Sequence, residues 1–137
     1  MPPTRHCSAA AGWTAQSIAL PGPTGQARLT RGHRLPAKYV IHAVGPRYRD
    51  GRHGEPELLA SCYRNCLALA VLHGITSIAL PAISCGIYGY PVADAAHIAV
   101  QTTAACLESA PGIATVIFAC FGADVLRAYQ AAFDLLG

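Results

Sequence analysis

The chain has 137 residues, of which 53% are apolar and 12% charged, and its formal net charge is +3. This length is typical of one compact domain, and the composition excludes an intrinsically disordered protein. No apolar run reaches the ~20 residues that a membrane-spanning helix needs, and no signal-peptide pattern is recognisable at the start. We therefore expect a cytoplasmic protein without a membrane partner.

The first 22 residues show no sustained hydrophobic period, and their one weak apolar run is Ser17–Leu20. Further on, three short β-branched runs predict strands that are covered on both faces: Tyr39–Val44, Ser77–Ile83 and Thr115–Cys120. Pro81 cannot donate to a β-ladder, so the second strand is expected to end or become irregular there.

Apolar residues recur at helical spacing between and after these runs, which predicts helices over Glu57–His73, Pro91–Leu107 and Asp124–Leu136. Gly74 is a stop signal, Pro91 suits a first helical turn, and Asp124 is favourable near a helix start. Strands that alternate with helices of this length predict a three-layer α/β domain with mostly parallel pairing.

The basic residues are unevenly distributed, because seven of the ten Lys and Arg residues lie between Arg28 and Arg52. Such a stretch can attract nucleic acid, or it can be a solvated loop surface beside a strand. No aromatic-rich basic groove or nucleic-acid-binding module accompanies it, so we expect a solvated surface and no nucleic-acid partner.

The six cysteines contain no Cys-x-x-Cys pair, and Cys62 and Cys66 lie one helical turn apart on an apolar helix face. This pattern favours thiols packed in the core over a zinc site or a disulfide framework. We therefore predict no bound metal and a reducing compartment.

The turn after the second predicted strand, Ser84–Gly89, is rich in small residues and precedes a helix. Gly86 and Gly89 let the main chain approach a ligand closely, and the free amides at a helix start favour an anion. The crevice at the carboxyl ends of parallel strands is also where open α/β sheets bind ligands. A phosphate group is therefore the expected ligand.

Other interpretations of this turn are weaker. The familiar nucleotide-binding glycine patterns do not match the residues after Ile83. Cys85 near a helix start suggests a phosphatase nucleophile, but the arginine that such a loop requires six residues later is replaced by Pro91. A purely structural tight turn remains an alternative when the stretch is considered alone.

Four segments, in this order and with this spacing, resemble a known family: Pro23–Thr30, Leu35–Pro46, Leu58–Leu67 and Pro81–Pro91. Over residues 23–137 the chain is similar to macro domains of the bacterial O-acetyl-ADP-ribose deacetylase and MacroD type, with residues 1–22 as a non-matching segment. The resemblance implies a three-layer α/β/α sheet that lacks the family's N-terminal strands. It also implies ADP-ribose, O-acetyl-ADP-ribose or an ADP-ribosylated protein as ligand, with no cofactor.

The resemblance also assigns residues to the ligand. The Ser84 hydroxyl and the amides of Cys85, Gly86, Ile87 and Tyr88 would bind the pyrophosphate, in a loop that extends to Gly89 around the distal ribose. Tyr88 would pack over that ribose and help to position the scissile group. Phe121 would flank the adenine, although core packing is a rival role for it. His42 matches a structural strand position.

The same resemblance shows which family features are missing. The Gly-Asp-Ile-Thr-like strand, the Asn-Ala-Ala-Asn strand end and the aspartate-bearing glycine loop have no counterpart, and the first acidic residue is Asp50. The family's Asn and Asp orient the ribose and activate water, so enzymatic activity is left open.

The alternatives are a non-catalytic binding module and a non-functional truncated remnant. A frameshifted coding sequence would also account for residues 1–22. We expect the lost interior strand to be replaced by the N-terminal segment, through Ser17–Leu20, by closing of the sheet, or by self-association through the exposed sheet.

Overall fold

A computed structural model of the chain describes residues 23–31, 38–86 and 88–136 in full and the backbone of residues 5–9. Five strands and three helices lie within these residues. In chain order they are β1 Arg5–Ala9, β2 Ala27–Arg31, β3 Tyr39–Ala43, α1 Glu55–Leu72, β4 Ser77–Pro81, α2 Val92–Leu107, β5 Thr115–Ala119 and α3 Ala123–Leu135.

The strands form one mixed sheet in the order β2-β3-β1-β4-β5. β1 pairs in parallel with β3 on one side and with β4 on the other, and β4 pairs in parallel with β5. β2 is antiparallel to β3, with Leu29 opposite Ile41. The fold is therefore the predicted α/β arrangement with mostly parallel pairing.

The three predicted strands and three predicted helices are confirmed, with ends that differ by one or two residues. β4 ends at Pro81, where proline was expected to end the ladder. β1 and β2 were not predicted. β1 is a short segment, Arg-His-Cys-Ser-Ala, whose strand conformation depends on pairing along both edges, and such tertiary context is not visible in five letters of sequence.

The interior position that was expected to need a substitute is occupied by β1, between β3 and β4. Residues 5–9 of the N-terminal segment therefore supply this interior strand, whereas the expected segment Ser17–Leu20 lies outside the described residues. The basic stretch is also partly structured, because Arg28 and Arg31 belong to the edge strand β2.

The helices α1 and α2 follow parallel strands that succeed one another across the sheet in one direction. Right-handed crossovers therefore place both helices on the same sheet face, where α3 packs beside α2. Ile41, Ile78 and Leu80 point into this layer and are fully buried. On the opposite face Val40 and Ala79 are buried too, as predicted for β3 and β4. The prediction is wrong for β5, an edge strand in which Thr115 is exposed and the other residues are half-buried.

The cysteines follow the predicted burial but not the predicted free state. Cys62 is a buried free thiol, and Cys85, Cys106 and Cys120 are free and half-buried. Cys66 is fully buried and disulfide-bonded, so the prediction of unpaired core thiols is wrong for this residue. Pairing depends on which cysteines the fold brings together, and sequence spacing does not report that.

Tyr63 connects α1 to the end of β4 through a hydroxyl group in the core. The hydroxyl donates to the carbonyl oxygen of Pro81 at 2.9 Å and accepts from the amide of Ile83 at 3.2 Å. The hydroxyl of Tyr129 in α3 lies 3.4 Å away. Burial raises the pKa of Tyr63 well above its ordinary value, so this hydroxyl stays neutral.

Glu55 at the start of α1 holds the segment that connects β3 to this helix. Its side chain accepts main-chain hydrogen bonds from Arg49, Asp50, Gly51 and His53, at distances between 2.6 and 3.1 Å. The amides of Arg49, first, and of Glu55 itself, Gly51 and Asp50 hold the pKa of this buried carboxyl far below its ordinary value. Glu55 is therefore ionised under all ordinary conditions.

None of the three helices in the described residues is long and apolar enough to cross a lipid bilayer.

Replacing the Tyr63 hydroxyl tests how firmly β4 is held. We expect Tyr63→Phe to lower the free energy of unfolding by about 1–3 kcal/mol, because it leaves the buried Pro81 carbonyl and Ile83 amide without their partner. Tyr129→Phe is the matched control and should cost less, because its one side-chain bond is longer. Urea denaturation measures both, and equal midpoints for wild type and Tyr63→Phe would contradict the role.

The Glu55 network predicts a specific acid sensitivity. Because its folded pKa is depressed below the ordinary value of 4.5, Glu55 stabilises the fold above that pH, and this contribution is lost as the pH falls further. We expect Glu55→Gln to have a lower melting temperature than the wild type at pH 7. The difference between the two melting temperatures should narrow between pH 4.5 and pH 3. Glu57→Gln removes an exposed carboxylate from the same helical turn and is the control. A difference in melting temperature that stays constant with pH would exclude ionised Glu55 as the source of the acid sensitivity.

Candidate functional site

The candidate site lies at the carboxyl ends of the parallel strands, where two loops meet. The β4–α2 loop, residues 82–91, contains the glycine-rich turn, and the β3–α1 segment, residues 44–54, leaves the sheet beside it. The amide of Tyr48 donates to the carbonyl oxygen of Tyr88 at 3.0 Å and joins the two. Parallel α/β sheets bind ligands at this end.

Ser84 has the most unusual conformation in the β4–α2 loop. Its φ is +66°, the one positive value among the described non-glycine residues. The amide of Tyr90 donates to its carbonyl oxygen at 2.9 Å and closes the turn. The residue is buried, and its Oγ has no hydrogen-bond partner in the described part of the chain. A buried hydroxyl without a partner is uncommon in folded proteins and marks a candidate functional position, although this oxygen is not exposed at the loop surface.

Gly45 makes this conformation possible. A Cβ atom at position 45 would lie 2.4 Å from Ser84 Oγ and 2.7 Å from Ile83 Cγ2, distances at which atoms overlap. The end of β3 can therefore approach the β4–α2 loop because residue 45 has no side chain. Gly45 lies within the segment Leu35–Pro46 that carries the family resemblance, but the sequence analysis gave it no role. A glycine directly after a buried strand is nevertheless a signal for close approach.

The amides of the β4–α2 loop fall into two groups. The amide of Gly89 donates to the carbonyl oxygen of Gly86 at 3.0 Å, and that of Cys85 makes a long 3.4 Å bond to Ala82. The amides of Gly86 and Tyr88 donate no hydrogen bond within the described residues. Ile87, the remaining predicted donor, lies outside those residues. Two main-chain donors are thus left for a ligand.

The two loop glycines differ in what they provide. Gly89 has a φ of +69°, which favours glycine on conformational grounds. Gly86 is exposed, and a Cβ built there would meet no atom within 4 Å. Gly86 is therefore not required for packing, and a side chain at this position would extend into open space beside the loop.

Aromatic side chains surround the site. Tyr88 is half-buried, and behind it the rings of Tyr48 and Tyr90 pack with centroids 4.9 Å apart. Phe121 follows β5 and is 85% exposed, which excludes core packing as its role. Its place beside an adenine remains a prediction.

Two other polar residues that the sequence singled out do not have the properties of catalytic groups. Burial raises the pKa of Cys85 to about 11, so its thiol is protonated at neutral pH and is a poor nucleophile. His42 lies within β3, where its Nε2 is 2.9 Å from the Thr30 hydroxyl, and burial lowers its pKa. It lies in a strand as predicted, but it is not fully satisfied, because its buried Nδ1 has no hydrogen-bond partner in the described part of the chain.

One group of side chains in the described residues has metal-ligating atoms close together, namely Asp50, His53 and Glu55, within 4.8 Å of one another. Four amides already occupy the Glu55 carboxylate. Asp50 Oδ1 accepts from the Arg52 amide at 2.8 Å and lies 2.9 Å from His53 Nδ1. This network stabilises the β3–α1 segment without an ion. Sequence reasoning missed Glu55, because a glutamate at a helix start is ordinary.

Comparison with known proteins identifies the family. A model of the Macro domain matches residues 7–99, starting within the segment that the sequence analysis left unmatched. Macro domain-containing protein CT2219 of Chlorobaculum tepidum is 56% identical over 109 residues, which cover 80% of this chain and 63% of that protein. An O-acetyl-ADP-ribose deacetylase of Citrobacter rodentium is 47% identical over 108 residues, 79% of this chain and 61% of the relative. The chain thus spans somewhat over 60% of the length of these relatives.

Solved structures agree with this assignment. A variant of the Oceanobacillus iheyensis macrodomain with ADPR is 38% identical, with a TM-score of 0.79, over 84% of this chain and 61% of that one. A Trypanosoma brucei macrodomain in complex with ADP-ribose is 39% identical, with a TM-score of 0.73, over 84% of this chain and 47% of that one. By its fold and by its sequence, which matches the family across the loop that follows β4, this chain belongs to the macro domain family.

Proposed function

We propose that this chain binds ADP-ribose through the β4–α2 loop. The observation that carries the proposal is a pair of amides, at Gly86 and Tyr88, that donate no hydrogen bond within the described residues, beside the Ser84 hydroxyl, which has no partner there either. Three uncharged donors on one tight turn suit the oxygens of a diphosphate, which would accept from them without a side chain between. Macrodomains similar to this chain have been solved with ADP-ribose and ADP.

The rest of the ligand would extend from this point in two directions. Tyr88 would lie over the distal ribose, with Cys85, Ile87 and Gly89 completing the loop around it. Exposed Phe121, at the carboxyl end of β5, would stack on the adenine at the other end. O-Acetyl-ADP-ribose and ADP-ribosylated proteins share the diphosphate and both riboses, so the same loop would accept them.

We propose further that binding is accompanied by little or no hydrolysis. One relative is an O-acetyl-ADP-ribose deacetylase, but the Asn and Asp that the family resemblance assigns to catalysis have no match in this sequence. Tyr88 is the one candidate that would act near the scissile bond. A cytoplasmic location and self-association stay predictions. The uncharged edge strand β5 is where self-association would occur, because the opposite edge, β2, carries Arg28 and Arg31.

Substitution at Gly86 tests the site without disturbing the fold. We expect Gly86→Val to reduce ADP-ribose affinity at least ~10-fold, because the new side chain fills the space over the free amide, which corresponds to ~1.4 kcal/mol. Its melting temperature should stay close to the wild type, since nothing lies within 4 Å of the added Cβ. Titration calorimetry and a thermal melt measure the two effects.

Gly112→Val is the matched control, because Gly112 also has open space and lies in the turn before β5, at the other end of the sheet. Unchanged affinity in Gly86→Val would place the ligand elsewhere. A folded wild type that gives no heat with millimolar ADP-ribose would overturn binding altogether and favour the non-functional remnant.

Turnover of O-acetyl-ADP-ribose tests the second proposal. We expect a rate at least ~10²-fold below that of the deacetylase relative of Citrobacter rodentium, because a general base contributes ~10²–10⁴-fold. Acetate release under saturating substrate measures both proteins. Comparable rates would show that this chain has another way to activate water, and Tyr88→Phe would then show whether Tyr88 takes part.

A further inference from the structure

Arg47 is the cation that the structure places against the β4–α2 loop. It follows buried Pro46 in the β3–α1 segment and is itself exposed. The carbon at the centre of its guanidinium group lies 5.7 Å from the centroid of the Tyr88 ring. The hydrogen bond from the Tyr48 amide to the Tyr88 carbonyl, 3.0 Å long, holds the backbone directly after Arg47 beside the backbone of Tyr88. The contact is therefore built from both main chain and side chain.

No acidic side chain among the described residues forms an ion pair with the guanidinium group of Arg47. Arg64 and Arg127 form ion pairs with Glu57 and Asp124, whereas Arg47 forms none within the described residues. An arginine that stacks on an aromatic face keeps its in-plane N–H groups available for an anion. Arg47 thus lies beside Tyr88, with donors that no acidic side chain among the described residues occupies.

The loop itself supplies only uncharged donors. Its amides and the Ser84 hydroxyl are neutral, and Asp94 in the first turn of α2 places a negative charge at the helix end that would otherwise favour an anion. A diphosphate bound there would carry about two negative charges. The structure offers Arg47, across the Tyr88 ring, as the group that compensates for them.

We propose that Arg47 is a specificity-determining residue of this site. It holds Tyr88 over the loop and gives the site its preference for a diphosphate over a single phosphate or an uncharged nucleoside. This inference rests on the proposed binding of ADP-ribose, whose failure the experiment detects separately.

The experiment compares wild type, Arg47→Gln and Arg47→Lys by calorimetry with ADP-ribose, ADP, AMP and adenosine at low and high salt. We expect Arg47→Gln to weaken ADP-ribose and ADP about tenfold, to leave adenosine unchanged and to flatten the salt dependence. Arg47→Lys should keep the salt dependence and recover part of the affinity, because it retains the charge without the planar guanidinium group.

Lys38→Gln is the matched control. Lys38 lies over the Tyr39 ring at 5.8 Å, so the variant removes the same charge and the same kind of contact at the opposite end of β3. It should bind every ligand as the wild type does.

Two results would overturn the inference while ADP-ribose binding stands. One is an Arg47→Gln variant with wild-type affinity and salt dependence. The other is an equal loss for ADP-ribose and adenosine with the salt dependence unchanged, which would make Arg47 a purely structural residue. A folded wild type that binds none of the four ligands would instead contradict the proposed function, and this inference with it.

Discussion

The contact between Gly45 and Ser84 is the constraint on which the candidate site depends. Because Gly45 has no Cβ, the end of β3 can lie against the first turn of the β4–α2 loop. Ser84 occupies the left-handed conformation there, at a cost of about 1–3 kcal/mol that packing and the Tyr90–Ser84 hydrogen bond must offset. In the turn that follows, the amides of Gly86 and Tyr88 donate no hydrogen bond within the described part of the chain.

Helix α1 supports this arrangement without contributing a residue to the proposed ligand contacts. Its Tyr63 holds the end of β4 just before the loop, and its Glu55 holds the β3–α1 segment that carries Gly45 and Arg47. Both sides of the site are thereby fixed to one helix that packs in the core. A loop that is held in place before binding loses less conformational entropy when the ligand arrives. The buried polar groups of α1, in Tyr63 and Glu55, thus hold the two loops of the site rigid.

Sequence reasoning succeeded where the signal is local and failed where it depends on partners far along the chain. Strands β3, β4 and β5 and all three helices carry their own hydrophobic period, and the glycine-rich turn stands directly between two of them. β1 has no such period, and its strand state comes from neighbours on both sides. The role of Gly45 arises only when the segment after β3 lies against the β4–α2 loop, and the disulfide at Cys66 likewise depends on tertiary proximity. The contacts of Glu55 are local, within six residues, but a glutamate at a helix start is too ordinary to signal them.

The position of β1 bears on the fold of the chain and not on its chemistry. A β-ladder uses main-chain N–H and C=O groups, so residues 5–9 can complete the interior of the sheet whatever side chains they carry. The β4–α2 loop depends on contacts from β3, β4 and α1, which the described residues supply. Activation of water, in contrast, needs particular side chains at particular positions. The strand order of the sheet and the conformation of the loop therefore do not by themselves determine whether a ligand is cleaved.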